Sequence, residues 1–250
     1  MNEKPAIVAP QPNAHRRWYQ FSLRTLLIFV TLGGCGFARL GAKIQEARRQ
    51  QAAVAALLKL GCFVAYDYQF DSQGGDVPDA TPPGPAWLHS LFGDGFFENV
   101  HTVILVNDEM TDAEMENLKE FSELKSLILG GTRVTDTGLE NLTRLTQLID
   151  LTLGGTQVTD TSLTCLRGLT RLETLHLNFT QVTDAGLGNL RGLTQLKFLA
   201  LDGTQVTDAG LEQFRGLTRL ESLQLCLTHV SEAGVAKLHA AIPNCEIVWR

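Results

Sequence analysis

A 24-residue period governs most of this chain. From Val100 to Pro243 the sequence runs through six tandem copies, which begin at Val100, Leu124, Leu148, Leu172, Leu196 and Leu220. Positions 1, 4, 6, 11, 16, 19 and 22 of the copy are apolar every time. Positions 4 and 6 alternate, which suits a short strand with one buried face. Positions 16, 19 and 22 step by three, which suits one side of a short helical segment. Each copy therefore reads as a strand, a turn and a short helix. Such a unit is too thin to close a core alone, so stacked copies must share one interior.

The polar columns have structural readings too. Position 9 is Asp108, Thr132, Thr156, Thr180, Thr204 and Thr228. A buried hydroxyl there is expected to bond turn amides that the strand leaves unpaired. Position 12 is always Thr or Ser, and position 13 always Asp or Glu. A hydroxyl N-cap followed by an acid in the first turn stabilises a helix start. The other reading of the acidic column is a cation-binding ladder, although no EF-hand-like loop accompanies it.

The pattern LxxLxL followed by TxVTDxGLxxLxxL resembles the leucine-rich repeat, in the variety that carries Thr or Cys where others carry Asn. The resemblance covers residues 100–243 and implies an α/β fold. That fold is a leucine-rich-repeat solenoid with a parallel sheet on the concave face and short helices on the convex face. An open stack needs a cap at each end. Trp87, Leu91, Phe92, Phe96 and Phe97 are expected to cover the first copy. Residues 244–250, with Ile247, Val248 and Trp249, read as a closing strand with Trp249 as its lid. Within residues 62–99, Cys62 to Phe70 is β-prone, and a Gly- and Pro-rich loop follows.

Charge divides the chain. Residues 1–61 carry +7 and residues 62–250 carry −13. The acidic body argues against nucleic acid as a partner, since phosphates would be repelled. The basic head suits a membrane surface. Residues 1–20 read as a basic tail and 21–40 as a membrane helix that precedes the solenoid. Thr25 to Ala38 has no charged residue. That run alone is short of the roughly 20 residues that span a bilayer. Arg24 and Arg39 can snorkel to the two interfaces, and Trp18 and Tyr19 suit the headgroup level. A basic region before an apolar one resembles an uncleaved signal anchor, which would place a single-pass protein's repeats outside the cytoplasm. A buried helix of a soluble protein is the alternative. Residues 41–61, with apolar and basic faces, would continue the helix outward.

Leu32-Gly33-Gly34-Cys35 resembles a lipobox, which makes Cys35 a candidate for lipidation; an ordinary membrane-buried Cys is the other reading. The layout also resembles planctomycete membrane-anchored leucine-rich-repeat proteins. Phe21 to Leu27, Ala47-Arg48-Arg49-Gln50, Tyr66-Asp67-Tyr68 and Pro83 to Leu88 carry that resemblance. It implies an anchor plus a solenoid and no particular chemistry.

No HExxH, GxSxG, P-loop or Rossmann glycine pattern is present. His176 with Asp150 on the adjacent strand is the one conceivable reactive pair, and a surface histidine is the plainer reading. No cofactor or metal is implied, and the chain is not expected to be an enzyme. Binding is the better expectation. Positions 2, 3, 5, 7 and 8 should face the concave side. Ile104, Ile128, Thr152, His176 and Gln224 stand at position 5, with Asp150 and Phe198 at position 3. Asn178 and Asp202 stand at position 7, with Phe179 and Leu227 at position 8. Phe179, Phe198 and Leu227 are the candidate anchors for a protein or glycan partner. A structural cell-envelope scaffold and a soluble inhibitor-type or adaptor-type repeat protein are the alternative roles.

Overall fold

A computed structural model describes residues 23–71, 75, 77, 79–92, 98–105 and 110–250. It divides into two compact units, residues 1–42 and 43–250. Helix α1 runs from Leu23 to Lys59. The second unit is an eight-stranded sheet in strict chain order. Its strands are β1 (Phe63–Tyr66), β2 (Val100–Ile104), β3 (Ser126–Ile128), β4 (Asp150–Thr152), β5 (Thr174–His176), β6 (Phe198–Ala200), β7 (Ser222–Gln224) and β8 (Glu246–Val248). β1 pairs antiparallel with β2, and every later pair is parallel.

Residues 100–243 form a solenoid of six stacked copies. The register puts equivalent positions side by side: Leu127, Leu151, Leu175, Leu199 and Leu223 pair in succession. Apart from Val230, Val235 and Ala241, every member of the seven apolar columns is buried. Each fully buried Leu contributes about 1.5–3 kcal/mol relative to exposure, so the shared interior dominates stability. In four of the six copies the chain turns after the strand, then makes one helical turn and a short 3-10 segment, as at Asp136–Leu139 and Glu140–Arg144; the third makes only Leu163–Leu166 and the sixth a longer helix, Glu232–Ala241.

Position 9 behaves differently from expectation. Its hydroxyl donates rather than accepts: Thr132, Thr156, Thr180 and Thr204 bond the position-6 carbonyls of Leu129, Leu153, Leu177 and Leu201 at 2.6–2.7 Å. A buried carbonyl at a strand end needs a donor, and the hydroxyl supplies it.

Position 13 does more than complement a helix dipole. Asp136 accepts the amide of Thr159 at 2.8 Å and its hydroxyl at 2.6 Å. The pairs Asp160–Thr183, Asp184–Thr207 and Asp208–Ser231 repeat the arrangement. Each carboxylate thus holds the position-12 hydroxyl residue of the following copy, which is the N-cap of that copy's helical turn in all but the third. The same carboxylate explains Gly at position 15. A Cβ on Gly138 would lie 2.5 Å from Asp112 Oδ1, and Gly186, Gly210 and Gly234 leave less room still. The third copy has Ser162 instead. Its hydroxyl donates to Thr159 O, and that copy's helical turn starts late, at Leu163.

Of the residues expected to cover the first copy, Trp87 alone has a described side chain; those of Leu91, Phe92, Phe96 and Phe97 lie outside the described residues. Trp87 is 64% exposed. Helix α1 covers the first copy through buried Ala47, Ala53, Val54 and Leu57. Gln50 Nε2 donates to Glu120 O at 3.1 Å, and Arg49 pairs with Glu120 at 3.4 Å. The basic and apolar faces of residues 43–59 therefore serve the solenoid. β1 ends at Tyr66; Asp67–Gln69 curl into a 3-10 turn, and the Tyr66 and Tyr68 rings stack at 5.9 Å. At the other end Ile247 and Trp249 pack on the core from β8 and the residue beyond it.

Among the described residues, no helix is long and apolar enough to cross a membrane. The side chains of residues 1–37, which include Cys35 and most of the apolar run, lie outside the described residues.

Candidate functional site

The sheet face turned away from the core is built from odd positions of the copy. Ile104, Ile128, Thr152, His176, Ala200 and Gln224 stand in one row across β2 to β7. Asp150, Thr174, Phe198 and Ser222 stand in the parallel row. Neighbouring strands lie about 4.8 Å apart, so each row is a continuous strip of side chains. Ala200 is only 2% exposed and leaves a dip between His176 and Gln224.

His176 and Phe198 meet diagonally across the strip, with ring centroids 4.8 Å apart. Burial pushes the His176 imidazole below its ordinary value, against the pull of Asp150 and Asp202. At neutral pH the ring is therefore an uncharged donor and acceptor beside an aromatic face. The two rings are tilted to one another by 37°, and Phe198 is half-buried. His176 and Asp150 share this face. Among the described residues, no three His, Cys, Asp or Glu side chains converge to hold a metal.

The turns that follow the strands carry a second ladder. The position-8 amide donates to the position-7 carbonyl of the next copy: Gly131 to Gly154, Gly155 to Asn178, Phe179 to Asp202 and Gly203 to Cys226, at 2.7–2.8 Å. In copies two to six the backbone at position 8 is left-handed: φ is 75° at Gly131, 72° at Gly155, 55° at Phe179, 66° at Gly203 and 57° at Leu227. Glycine takes this conformation freely; other residues pay about 1–2 kcal/mol. Phe179 and Leu227 take it nonetheless, and both are exposed, at 57% and 76%. The Phe179 ring lies over Gly203, where a Cβ would be 2.7 Å from Phe179 Cε1.

The position-7 residues are partly engaged. The amide of Asn178 lies over Gly154, 2.5 Å from where a Cβ would stand. Asp202 Oδ1 accepts the Cys226 amide at 2.7 Å. The named residues thus split into two groups. Ile104, Ile128, Thr152, His176, Gln224, Asp150 and Phe198 line the sheet face. Asn178, Phe179, Asp202 and Leu227 form the rim where strands end. The strain at Phe179 and Leu227 is the feature that reading one copy at a time misses. The signal was present in the column itself, where Gly131, Gly155 and Gly203 mark a left-handed site.

Residues 169–190 match the family described as Leucine Rich repeat. No curated protein sequence matches the chain. Among solved structures, an internalin (inlF) of Listeria monocytogenes aligns at 22% identity and a TM-score of 0.41, over 55% of this chain and 48% of that one. An internalin C2 of the same organism aligns at 26% identity and a TM-score of 0.44, over 62% and 71%. A leucine-rich-repeat protein of Leptospira interrogans aligns at 23% identity and a TM-score of 0.43, over 53% and 33%. This chain therefore spans about half the length of the first of these and a third of the last.

Proposed function

We propose that this leucine-rich-repeat protein is a membrane-tethered interaction module. In this reading the open sheet face and its rim bind a protein partner without catalysis. Solenoids present long, rigid surfaces suited to that task. The observation that carries the reading is the left-handed backbone of Phe179 and Leu227. Two large apolar side chains stand exposed where glycine would cost less, and backbone strain of this kind gathers at binding sites. On strands β5 and β6 stand neutral His176 and Phe198, an apolar and polar mixture typical of a protein-binding centre.

The tether rests on the uncharged run Thr25 to Ala38 and its flanking basic residues. Its direction follows the signal-anchor reading, with the repeats outside the cytoplasm. Cys35 adds a lipid in the alternative in which Leu32 to Cys35 acts as a lipobox.

The test uses the full chain in native membranes with a photo-reactive amino acid placed at residue 227 or, as a control, at residue 164 on the helical side. The proposal requires a discrete cross-linked product from 227 that 164 does not give. Identical products from both positions, or none from 227, would refute it.

A further inference from the structure

The two edges of the sheet differ. β1 forms one of them, with a register shift between Ala65 and Tyr66. An irregularity of this kind bends an edge strand away from further pairing. β8 forms the other. Its register with β7 is regular, and it carries no proline.

The ladder shows which groups the outer edge of β8 presents. In all six copies the position-6 amide donates to the position-5 carbonyl of the next strand, from Leu105 to Ile128 through to Leu225 to Val248, at 2.7–3.1 Å. Trp249 stands at position 6 after β8, and among the described residues no further strand receives its amide. Glu246 donates to Glu221 O and Val248 O accepts from Leu225, so both residues turn their amides to β7. Successive residues of a strand turn theirs to opposite sides, so the N–H and C=O of Ile247 point outward with those of Trp249. The core is less covered here as well. Leucines at positions 4 and 6 are fully buried in copies two to six, whereas Ile247 and Trp249 at the same positions are half-buried.

The edge segment reads Glu246-Ile247-Val248-Trp249-Arg250. Turned about Val248 and laid antiparallel on a second copy of itself, it meets its complement at each place. Glu246 faces the second copy's Arg250, Ile247 faces its Trp249, and Val248 faces its own counterpart. The outward amides of Ile247 and the second copy's Trp249 then lie opposite and exchange hydrogen bonds. Opposite charges and aromatic with β-branched residues are the cross-strand pairs that favour a sheet. A shift to either neighbouring register that keeps these amides opposed sets a charge against Val248 instead.

Both charges are open to such a partner. Glu246 is exposed and has no ion pair among the described residues. Arg250 lies over the Trp249 ring at 4.6 Å and stands 3.9 Å from Glu232, and that ion pair is largely exposed and contributes little.

We infer that two copies of this protein join through β8, edge to edge about a two-fold axis at Val248, into one continuous sheet. The pairing uses the edge of the sheet and not its open face, so it stands apart from the binding role proposed above.

The test is mild oxidative cross-linking of the full chain in native membranes, with two differently tagged copies co-expressed. Val248 is 40% exposed and stands on the axis, where opposite Cα atoms lie about 4.5 Å apart, within reach of a disulfide. Val248→Cys should give a product that carries both tags. The native chain, with its own cysteines, and Thr164→Cys on the helical side should not. In the Val248→Cys background, Glu246→Arg or Arg250→Glu sets like charges opposite and should lower the yield roughly 10-fold. Glu246→Arg with Arg250→Glu restores opposite charges and should recover it. Should Arg250→Glu unfold, Glu246→Arg, which leaves the Glu232 contact in place, carries the comparison. Absence of a doubly tagged product from Val248→Cys overturns the inference. So does an equal product from the native chain, a yield indifferent to the charges, or a double exchange that fails to recover it. A disulfide from residue 248 to a different protein overturns it too, since a foreign strand would then hold the edge.

Discussion

Asp160 accepts two hydrogen bonds from Thr183, one from the amide at 2.8 Å and one from the hydroxyl at 2.6 Å, across the boundary between two copies. Thr183 in turn caps the next helical turn by accepting from the Ala185 amide. One carboxylate therefore couples the start of the helical turn to the copy before it, here and in the second, fifth and sixth copies. The same arrangement runs from Asp112 to Ser231.

Replacing Asp160 by Ala should cost about 1–3 kcal/mol, because two donors lose a charged acceptor. Gly186→Ala should be damaging by a different route, since its Cβ would press on the Asp160 backbone, 2.9 Å from Cα. Urea unfolding of both variants measures this. An unchanged midpoint for Asp160→Ala would mean that the ladder carries no stability.

Core and rim should respond in opposite ways. Leu175 is fully buried, and Leu175→Ala should cost about 2–5 kcal/mol. Phe179→Gly removes a larger side chain but also relieves the left-handed strain, so its stability change should stay within about 1 kcal/mol. Thermal melts of the two variants side by side decide the point. A loss at Phe179→Gly as large as at Leu175→Ala would show that Phe179 is structural.

Leu57 lies in α1, outside every repeat, yet it is fully buried against the first copy. Leu57→Ala should therefore destabilise the repeats by about 2–5 kcal/mol. Hydrogen exchange should locate the loss first at β2 and β3. Unaltered exchange there would mean that α1 is not the cap.

Acid should loosen the solenoid from its C-terminal end and at its first helical turn. Bonds from Ser231 hold Asp208 below its ordinary 3.8, and bonds from Thr111 hold Glu114 below its ordinary 4.5. A carboxyl depressed in the folded state contributes stability that is whole above the unfolded value and fades as pH falls through the folded one. Ser231→Ala should therefore flatten the loss of stability below about pH 4. His176 adds to the same direction at higher pH. Its folded value lies below the ordinary 6.5, so its contribution is present above that value and is lost as pH drops beneath it. A histidine NMR titration with a midpoint above 6.5 would contradict the burial of His176.

The period, the buried columns and the strand–turn–helix order were legible because each follows from spacing along one chain. Much of the rest depends on pairings between copies. Asp136 and Thr159 look like separate features of two helix starts until stacking places them together. Thr132 is visibly buried, but whether its hydroxyl gives or accepts depends on the direction of the Leu129 carbonyl. The capping role of Ala53 and Leu57 was hidden by their place in a helix that continues from an apolar segment. On the open face, the rows of positions 3 and 5 follow from alternation. The meeting of His176 with Phe198 is a diagonal contact that only the register reveals.

The account stands or falls most directly on Phe179 and Leu227. Partner retained on native membranes can be quantified for the native chain and for Phe179→Gly/Leu227→Gly, with thermal melts of both. The account predicts at least about a tenfold loss of bound partner with folding intact. Equal retention by a folded double variant would contradict it.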